Sequence, residues 1–276
     1  MVYELGPAQA TVLVPEPKAC VRSIFAARKL TMPVNNCLGG EGSPSPGAIA
    51  RHPLDNPVWH TLVGPRGALG QRLPRAARFH PEVSPFGALC DDPDPAAWAD
   101  LAQLLGAGRR TVLLRPLLDV PPGWVVGHRI PCVQMTAGGV AGSEDDRLVA
   151  LGIDDVPEIL SLVAETEPGP FGPRTIELGG YLGFRASGRL VAMAGQRLAF
   201  SGFTEVSAVC TADDYRGQGL GAALVLTLVH RIRARGDHPF LHAATANESA
   251  IRLYLSLGFT VRREVEAFVV AVPPNG

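Results

Sequence analysis

Several absences limit what this chain can do. Its 25 Lys+Arg face 26 Asp+Glu for a net charge of −1. No basic surplus points to a nucleic-acid partner or an anionic membrane surface. No apolar run in the sequence approaches the ~20 residues of a membrane-spanning helix. The five cysteines, Cys20, Cys37, Cys90, Cys132 and Cys210, are dispersed and form no C-x-x-C pair. That pattern predicts reduced thiols in a cytoplasmic protein, with neither a disulfide framework nor a zinc site. Arg22 to Lys29 is slightly basic, but it lacks the apolar core and cleavage site of a signal peptide. No Lys-Ser or Lys-Thr closes any glycine loop here, which excludes a P-loop.

What is present describes a globular chain. Apolar residues make up 46% and charged residues 18% of the 276 positions, enough for a substantial core and either one large or two modest domains. Proline and glycine punctuate the first half. Residues 1–56 read as a low-complexity, disordered extension, centred on the Gly/Ser/Pro stretch Cys37 to Gly47. Residues 57–136 read as a small α/β unit. It has helical signals from Trp59 to Leu73 and a firmer helix from Pro95 to Leu105, with Trp98, Leu101, Leu104 and Leu105 on one side. A strand follows at Thr111 to Leu114, then an extended run from Trp124 to Val133. Residues 137–146, small and then acidic, form the expected linker. From 147 to 276 the pattern is regular. Strands are predicted at Leu148–Ile153, Tyr181–Arg185, Leu190–Leu198, Phe203–Thr211, Phe240–Ala244 and Thr260–Val272. Helices are predicted around Val156–Val163, from Leu220 to Ile232 and from Asn247 to Leu257, the last closed by Gly258. Consecutive strands followed by strand–helix–strand predict an α/β fold with a mixed sheet and helices on both faces.

The most informative stretch is Arg216-Gly-Gln-Gly-Leu-Gly221, set between a strand and an apolar-striped helix. Such a turn lets backbone N–H groups and a helix N-terminus face an anion. One reading is a dinucleotide fingerprint, since Gly217, Gly219 and Ala222 satisfy G-x-G-x-x-A. That reading needs an acid at the end of the next strand to hold a ribose, and Phe240 to Ala246 ends without one; Asp237 precedes the strand. A nicotinamide-dependent oxidoreductase stays as the weaker alternative.

The other reading comes from a family. Tyr215-Arg-Gly-Gln-Gly-Leu-Gly221 resembles the acyl-CoA signature Arg/Gln-x-x-Gly-x-Gly/Ala of the GNAT superfamily of N-acetyltransferases, with Arg216, Gly219 and Gly221 at the signature positions. Glu205-Val-Ser-Ala-Val-Cys-Thr211 resembles the family's fourth strand, and Asn247 to Phe259 its closing Asn-x-x-Ala-x-x-x-Tyr-x-x-x-Gly-Phe element. The resemblance covers about residues 147 to 272. It implies a GNAT domain over 147–276 and allows 57–136 to be a degenerate GNAT-like half, as in two-domain relatives.

The resemblance implies acetyl transfer from acetyl-CoA, a co-substrate, to a primary amine by direct attack in a ternary complex, without a metal. The acceptor is a small molecule or a peptide, and oligomeric state is left open. The implied coenzyme-binding positions are Val209, Cys210, Thr211, Arg216, Gly217, Gln218, Gly219, Leu220, Gly221, Ala222 and Asn247. Backbone N–H groups from Gly217 to Ala222 suit a pyrophosphate. The Val209 N–H is expected to face the thioester carbonyl, while the Cys210 side chain is incidental packing. Tyr254 sits where the family's phenol protonates the leaving thiolate; spacing alone would favour packing on an apolar helix face, and the motif favours the catalytic role. Glu205 is the candidate base, direct or through water, or an exposed strand-end carboxylate. His242 is a possible relay or a structural histidine. Asn247 also suits a plain helix cap. On the acceptor side the resemblance points to the stiff loop at Pro168 to Pro173 and to Phe171, Arg174 and Glu177. A non-catalytic acyl-CoA-binding regulatory module would carry the same cradle and is the main alternative.

Overall fold

The computed structural model describes residues 52–274 and two short strands before them. Those strands, β1 (Val2–Tyr3) and β2 (Val12–Leu13), pair antiparallel. The remainder of the extension expected over 1–51 lies outside the described residues. Residues 52–56, expected to belong to it, are built into the fold, with Leu54 and Asn56 buried.

Eleven strands form one mixed sheet. They are β3 (Gly70–Arg72), β4 (Ala76–Phe79), β5 (Phe86–Leu89), β6 (Arg110–Arg115), β7 (Val125–Thr136), β8 (Val149–Ala150), β9 (Leu182–Ala186), β10 (Arg189–Phe200), β11 (Phe203–Thr211), β12 (His238–Ala244) and β13 (Thr260–Ala271). The spatial order is β3-β4-β5-β6-β13-β7-β12-β11-β10-β9-β8. Five α-helices accompany it among the described residues: α1 (Pro57–Val63), α2 (Pro95–Leu105), α3 (Val156–Thr166), α4 (Leu220–Ala234) and α5 (Glu248–Ser256).

The order is palindromic about the central β13·β7 pair. On one side β6 and β5 are parallel and joined through α2; on the other, β12 and β11 are parallel and joined through α4. The last strand of each half is inserted into the other half: β7 lies between β12 and β13, and β13 between β6 and β7. The segments 57–136 and 147–276, expected as separate units, therefore share one continuous sheet.

Packing follows the sequence pattern. In α4, Leu220, Leu224, Leu228 and Ile232 step by four and are buried with Val225 and Val229 against Val133, Met135, Leu241 and Ala243. Full burial of each such side chain contributes about 1.5–3 kcal/mol. On the opposite face, α1 sets Val58 and Leu62 against Phe79, Phe200 and Phe240. Beside it, α3 covers Met193 and Cys210 with Ile159 and Leu162. The strand expected from Leu148 to Ile153 is limited to Val149–Ala150. Ile153–Asp155 instead turns as a 3-10 helix, because the Asp155 carboxylate accepts the Gly152 N–H at 2.8 Å.

Candidate active site

Between β11 and α4 the chain makes the glycine turn. Gly217 and Gly219 have φ of 76° and 78°, and a Cβ added at either would meet nothing within 4 Å. Left-handed backbone, not crowding, is what calls for glycine there. Gly219 caps α4 without any side-chain hydrogen bond. Among the described residues, the N–H groups of residues 217–222 meet no protein acceptor; the first backbone bond into α4 runs from Ala223 to the Gly219 carbonyl at 3.0 Å. Arg216 is exposed, pairs with Asp213 at 2.8 Å and donates to the Thr211 carbonyl at 3.4 Å. A Cβ on Gly221 would lie 3.6–3.9 Å from Leu253, Thr211 and Val209, so the cradle rests on the end of β11 and on α5.

The sheet opens next to this cradle. The parallel β11·β12 ladder holds Phe203, Thr204 and Glu205 against His238, Pro239 and Phe240 and then stops. β12 continues beside β7 only, and β11 beside β10 only. The β11 edge from Val206 to Thr211 is therefore unpaired on that side. Along it, Ala208 and Val209 together oppose the single residue Ala194. Ala208 takes φ +53°, a left-handed conformation that is strained for a residue with a Cβ. This bulge re-aims the backbone at Val209. The Cys210 side chain packs under α3, and burial pushes its thiol up to about 11, which fits incidental packing.

A charged network sits at the apex of the gap. Arg197 donates to both Glu205 oxygens, Nη2 to Oε1 at 2.6 Å and Nε to Oε2 at 2.9 Å, and its guanidinium lies 4.9 Å from the Phe86 ring centre. His242 Nδ1 is 2.7 Å from Glu205 Oε1, and His242 Nε2 is 3.0 Å from Gln134 Nε2. Gln134 continues to Leu54 O and to Arg262, each at 2.7 Å, and Arg262 reaches Asp55 at 2.8 Å. Glu205 is 0% exposed. Burial would raise its pKa, but the Arg197 charge and hydrogen bonds, followed by His242, outweigh this and bring it down to about 2. The expectation of an exposed strand-end carboxylate is thereby corrected. Both oxygens hold protein partners, Oε1 with Arg197 and His242 and Oε2 with Arg197.

Tyr254 is 7% exposed in the core beneath α4 and packs on Phe259 at 5.8 Å. Burial, then the charges of Cys210 and Glu205, push its phenol well above the ordinary value, so it stays protonated. Its hydroxyl has no hydrogen-bond partner among the described residues. Asn247 caps α5, accepting from the Ala250 N–H at 3.1 Å and the Ser249 hydroxyl at 3.0 Å.

Comparison with known proteins places this geometry. Residues 181–269 match the family described as FR47-like protein. A solved structure from Novosphingobium aromaticivorans, assigned as a GNAT-family acetyltransferase, is 42% identical, covers 80% of this chain and 99% of its own, and superposes with a TM-score of 0.74. The chain belongs to the GNAT family of acetyltransferases. A GCN5-related N-acetyltransferase from Kribbella flavida, 19% identical over 78% of this chain and 93% of its own with a TM-score of 0.52, shares the fold. Among curated proteins, mycothiol acetyltransferase of Thermobispora bispora is 47% identical over 57 residues, 20% of this chain and 19% of that protein. The mycothiol acetyltransferase of Corynebacterium aurimucosum is 38% identical over 63 residues, 22% and 21% of the two chains. The match thus spans about a fifth of either curated relative.

In this GNAT acyltransferase the three residues expected near an acceptor have protein partners of their own. Phe171 lies in the α3 core at 7% exposure, edge-on to Tyr181 at 5.5 Å. Arg174 and Glu177 pair with each other at 2.6 Å. The loop that carries them is fastened to the first half. The Thr175 hydroxyl donates to Val83 O at 2.6 Å, and the Arg174 N–H to Glu82 O at 3.1 Å. The proline loop thus ends in a segment docked on the first half.

Arg197 and Gln134 were not legible as site residues. Each lies among other polar residues on a long strand, Arg197 beside Gln196 on β10 and Gln134 near Thr136 on β7, and only pairing across the sheet singles it out. In the first half the loop at the topologically equivalent place, between β5 and α2, holds Asp91, Asp92 and Asp94. Asp94 itself accepts the Ala97 N–H at 2.9 Å. Arg115 donates to the carbonyls of Leu89, Cys90 and Asp91 at 3.2–3.3 Å, across the ends of β5 and β6. An open cleft of about 680 Å³ beside it is bordered by Asp55, Asp91, Asp94, Arg115 and Arg263, not by the glycine turn. No helix among the described residues is long and apolar enough to cross a membrane.

Proposed function

We propose that the enzyme transfers an acetyl group from acetyl-CoA to a primary amine by direct attack within a ternary complex. The observation that carries the reading is the pairing of the cradle at 217–222 with the unpaired β11 edge beside it. The cradle's free N–H groups suit a pyrophosphate, and the helix dipole of α4 adds to them. The β11 edge suits an extended, amide-bearing arm, which would leave the Val209 N–H for the thioester oxygen. Cys210 and Thr211 would contribute backbone groups, and Asn247 and Arg216 would border the coenzyme. The site residues present thus fit acetyl-CoA as substrate.

In this reading an ammonium acceptor gives one proton to His242 Nε2. Glu205 steadies the imidazolium through Nδ1, much as a buried carboxylate steadies a catalytic histidine. The amine nitrogen bonds to the acetyl carbon as the carbon–sulfur bond breaks. Tyr254 gives its proton to the thiolate and regains one from the substituted nitrogen. The products are the N-acetyl amine and coenzyme A, with one proton released from His242. Glu205 therefore serves the base and does not touch the amine. Phe171, Arg174 and Glu177 shape the acceptor wall indirectly, through the docked loop.

We read the first half as a degenerate GNAT-like unit, on the palindromic strand order and on the aspartates in the loop at the equivalent place. The free thiols of Cys90, Cys132 and Cys210 suit an enzyme acting on a small-molecule or peptide amine in the reducing cytoplasm. The acceptor of the curated relatives does not transfer on matches of a fifth of their length. Following coenzyme A release with acetyl-CoA and a panel of primary amines tests the reading. Thiol release that requires an amine, and falls when Val209 is replaced by Pro to remove the N–H, is the expected result.

A further inference from the structure

The geometry points to Gln134, on β7 in the first half, as a positioning residue that fixes the tautomer of His242 for acetyl transfer. This rests on the reading of His242 as the acceptor of the amine proton.

The argument uses only what each partner can donate or accept. Arg262 Nη1 can only donate and lies 2.7 Å from the Gln134 Oε1 position, so that atom is the amide oxygen. Leu54 O can only accept and lies 2.7 Å from Nε2, so that atom is the amide nitrogen. The amide has no freedom to flip. Its second N–H faces His242 Nε2 at 3.0 Å, and a donor cannot face a donor. Nε2 is therefore bare, and the ring proton sits on Nδ1, 2.7 Å from Glu205 Oε1. A proton arriving at Nε2 has to displace the Gln134 contact.

The lock is buried and complete. Gln134 and Glu205 are 0% exposed, and the His242 side chain 4%. A buried amide is tolerated only when its groups are partnered, and here both ends are. The charged and titratable groups of the network around the ring are Glu205 on β11, Arg197 on β10, Cys132 beside Gln134 on β7, Arg262 and Arg263 on β13, and His52 and Asp55 ahead of α1, with Tyr181 and Tyr254 also feeling the Glu205 charge. Leu54, Asp55 and Gln134 all belong to the first half. That half thus completes the site of the second.

Nitrogen-15 NMR of the full chain, labelled at its seven histidines and assigned by loss of signals in His242→Gln, reads the tautomer directly. The expected spectrum has His242 protonated at Nδ1 and bare at Nε2. In Gln134→Glu an acceptor faces Nε2, so the ring holds both protons to higher pH. The rising limb of kcat/KM against pH should then move up by about one pH unit or more, with KM for acetyl-CoA unchanged. In Gln134→Leu the ring should sample both tautomers and kcat fall about tenfold or more. A wild-type His242 protonated at Nε2, or a Gln134→Glu pH profile that superimposes on wild type, would overturn the inference while leaving the acetyl-transfer reading intact. Full amine turnover in His242→Gln, with the Nδ1 tautomer observed in the wild type, would overturn the base assignment and the role of Gln134 with it.

Discussion

His242 Nδ1 lies 2.7 Å from Glu205 Oε1, at the place where β11 and β12 cease to pair. The two side chains join the strands at the last point before the sheet opens. Arg197 neutralises the carboxylate from the neighbouring strand.

Stability should depend on pH through Glu205. Its folded pKa, about 2, lies below the ordinary 4.5. A depressed carboxylate contributes fully above its unfolded value and loses that contribution as pH falls through the folded one. The contribution is on the order of 3 kcal/mol and should vanish between about pH 4.5 and 2. Urea unfolding of wild type and Glu205→Gln across that window checks this: the difference between the two proteins should shrink as pH falls.

Removing one partner of the Arg197–Glu205 pair should cost more than removing both. Glu205→Gln strands a buried guanidinium and should destabilise by about 3–5 kcal/mol. The double variant Arg197→Leu/Glu205→Leu should recover a large part of the loss, since apolar replacements of buried pairs are often neutral or stabilising. Acetyl transfer should not recover with it, because His242 has lost its partner. Paired unfolding curves and turnover assays separate the two effects.

Tyr254→Phe deletes a hydroxyl that has no hydrogen-bond partner among the described residues. The fold should lose less than about 1 kcal/mol. If the phenol protonates the leaving thiolate, kcat should fall by about a hundredfold or more, with little change in KM for acetyl-CoA. Equal kcat in the two proteins would return Tyr254 to a packing role.

The glycine cradle separates stability from binding. Gly219→Ala forces a Cβ into φ +78° and should cost about 1–2 kcal/mol. Gly221 lies within α4, where an alanine meets only ordinary contacts at 3.6 Å and beyond. Gly221→Ala should leave stability unchanged or raise it by about 0.5–1 kcal/mol, yet weaken acetyl-CoA binding by crowding the arm. Thermal unfolding with and without acetyl-CoA tests both variants.

The second half was legible because its elements repeat strong periodic signals. The four-step leucines of α4 and the apolar alternation around Phe203–Thr211 placed the cradle and its strand directly. Gly258 supplied the left-handed helix end, at φ +97°. The strands at Gly70, Ala76 and Phe86 escaped notice because they are three or four residues long and rich in glycine, alanine and arginine. The exchange of β7 and β13 has no local signature at all. For the same reason the sequence left Glu205 open between a base and an exposed strand-end carboxylate: its burial depends on Arg197, on Phe86 and on strands far away in sequence.

The most direct test of the account is free-thiol release from acetyl-CoA in the presence of primary amines. Release should require an amine and be matched mole for mole by N-acetylated product. Binding of acetyl-CoA without release on any amine, as a regulatory module would show, or stabilisation by NAD(P)H instead of acetyl-CoA, would contradict it.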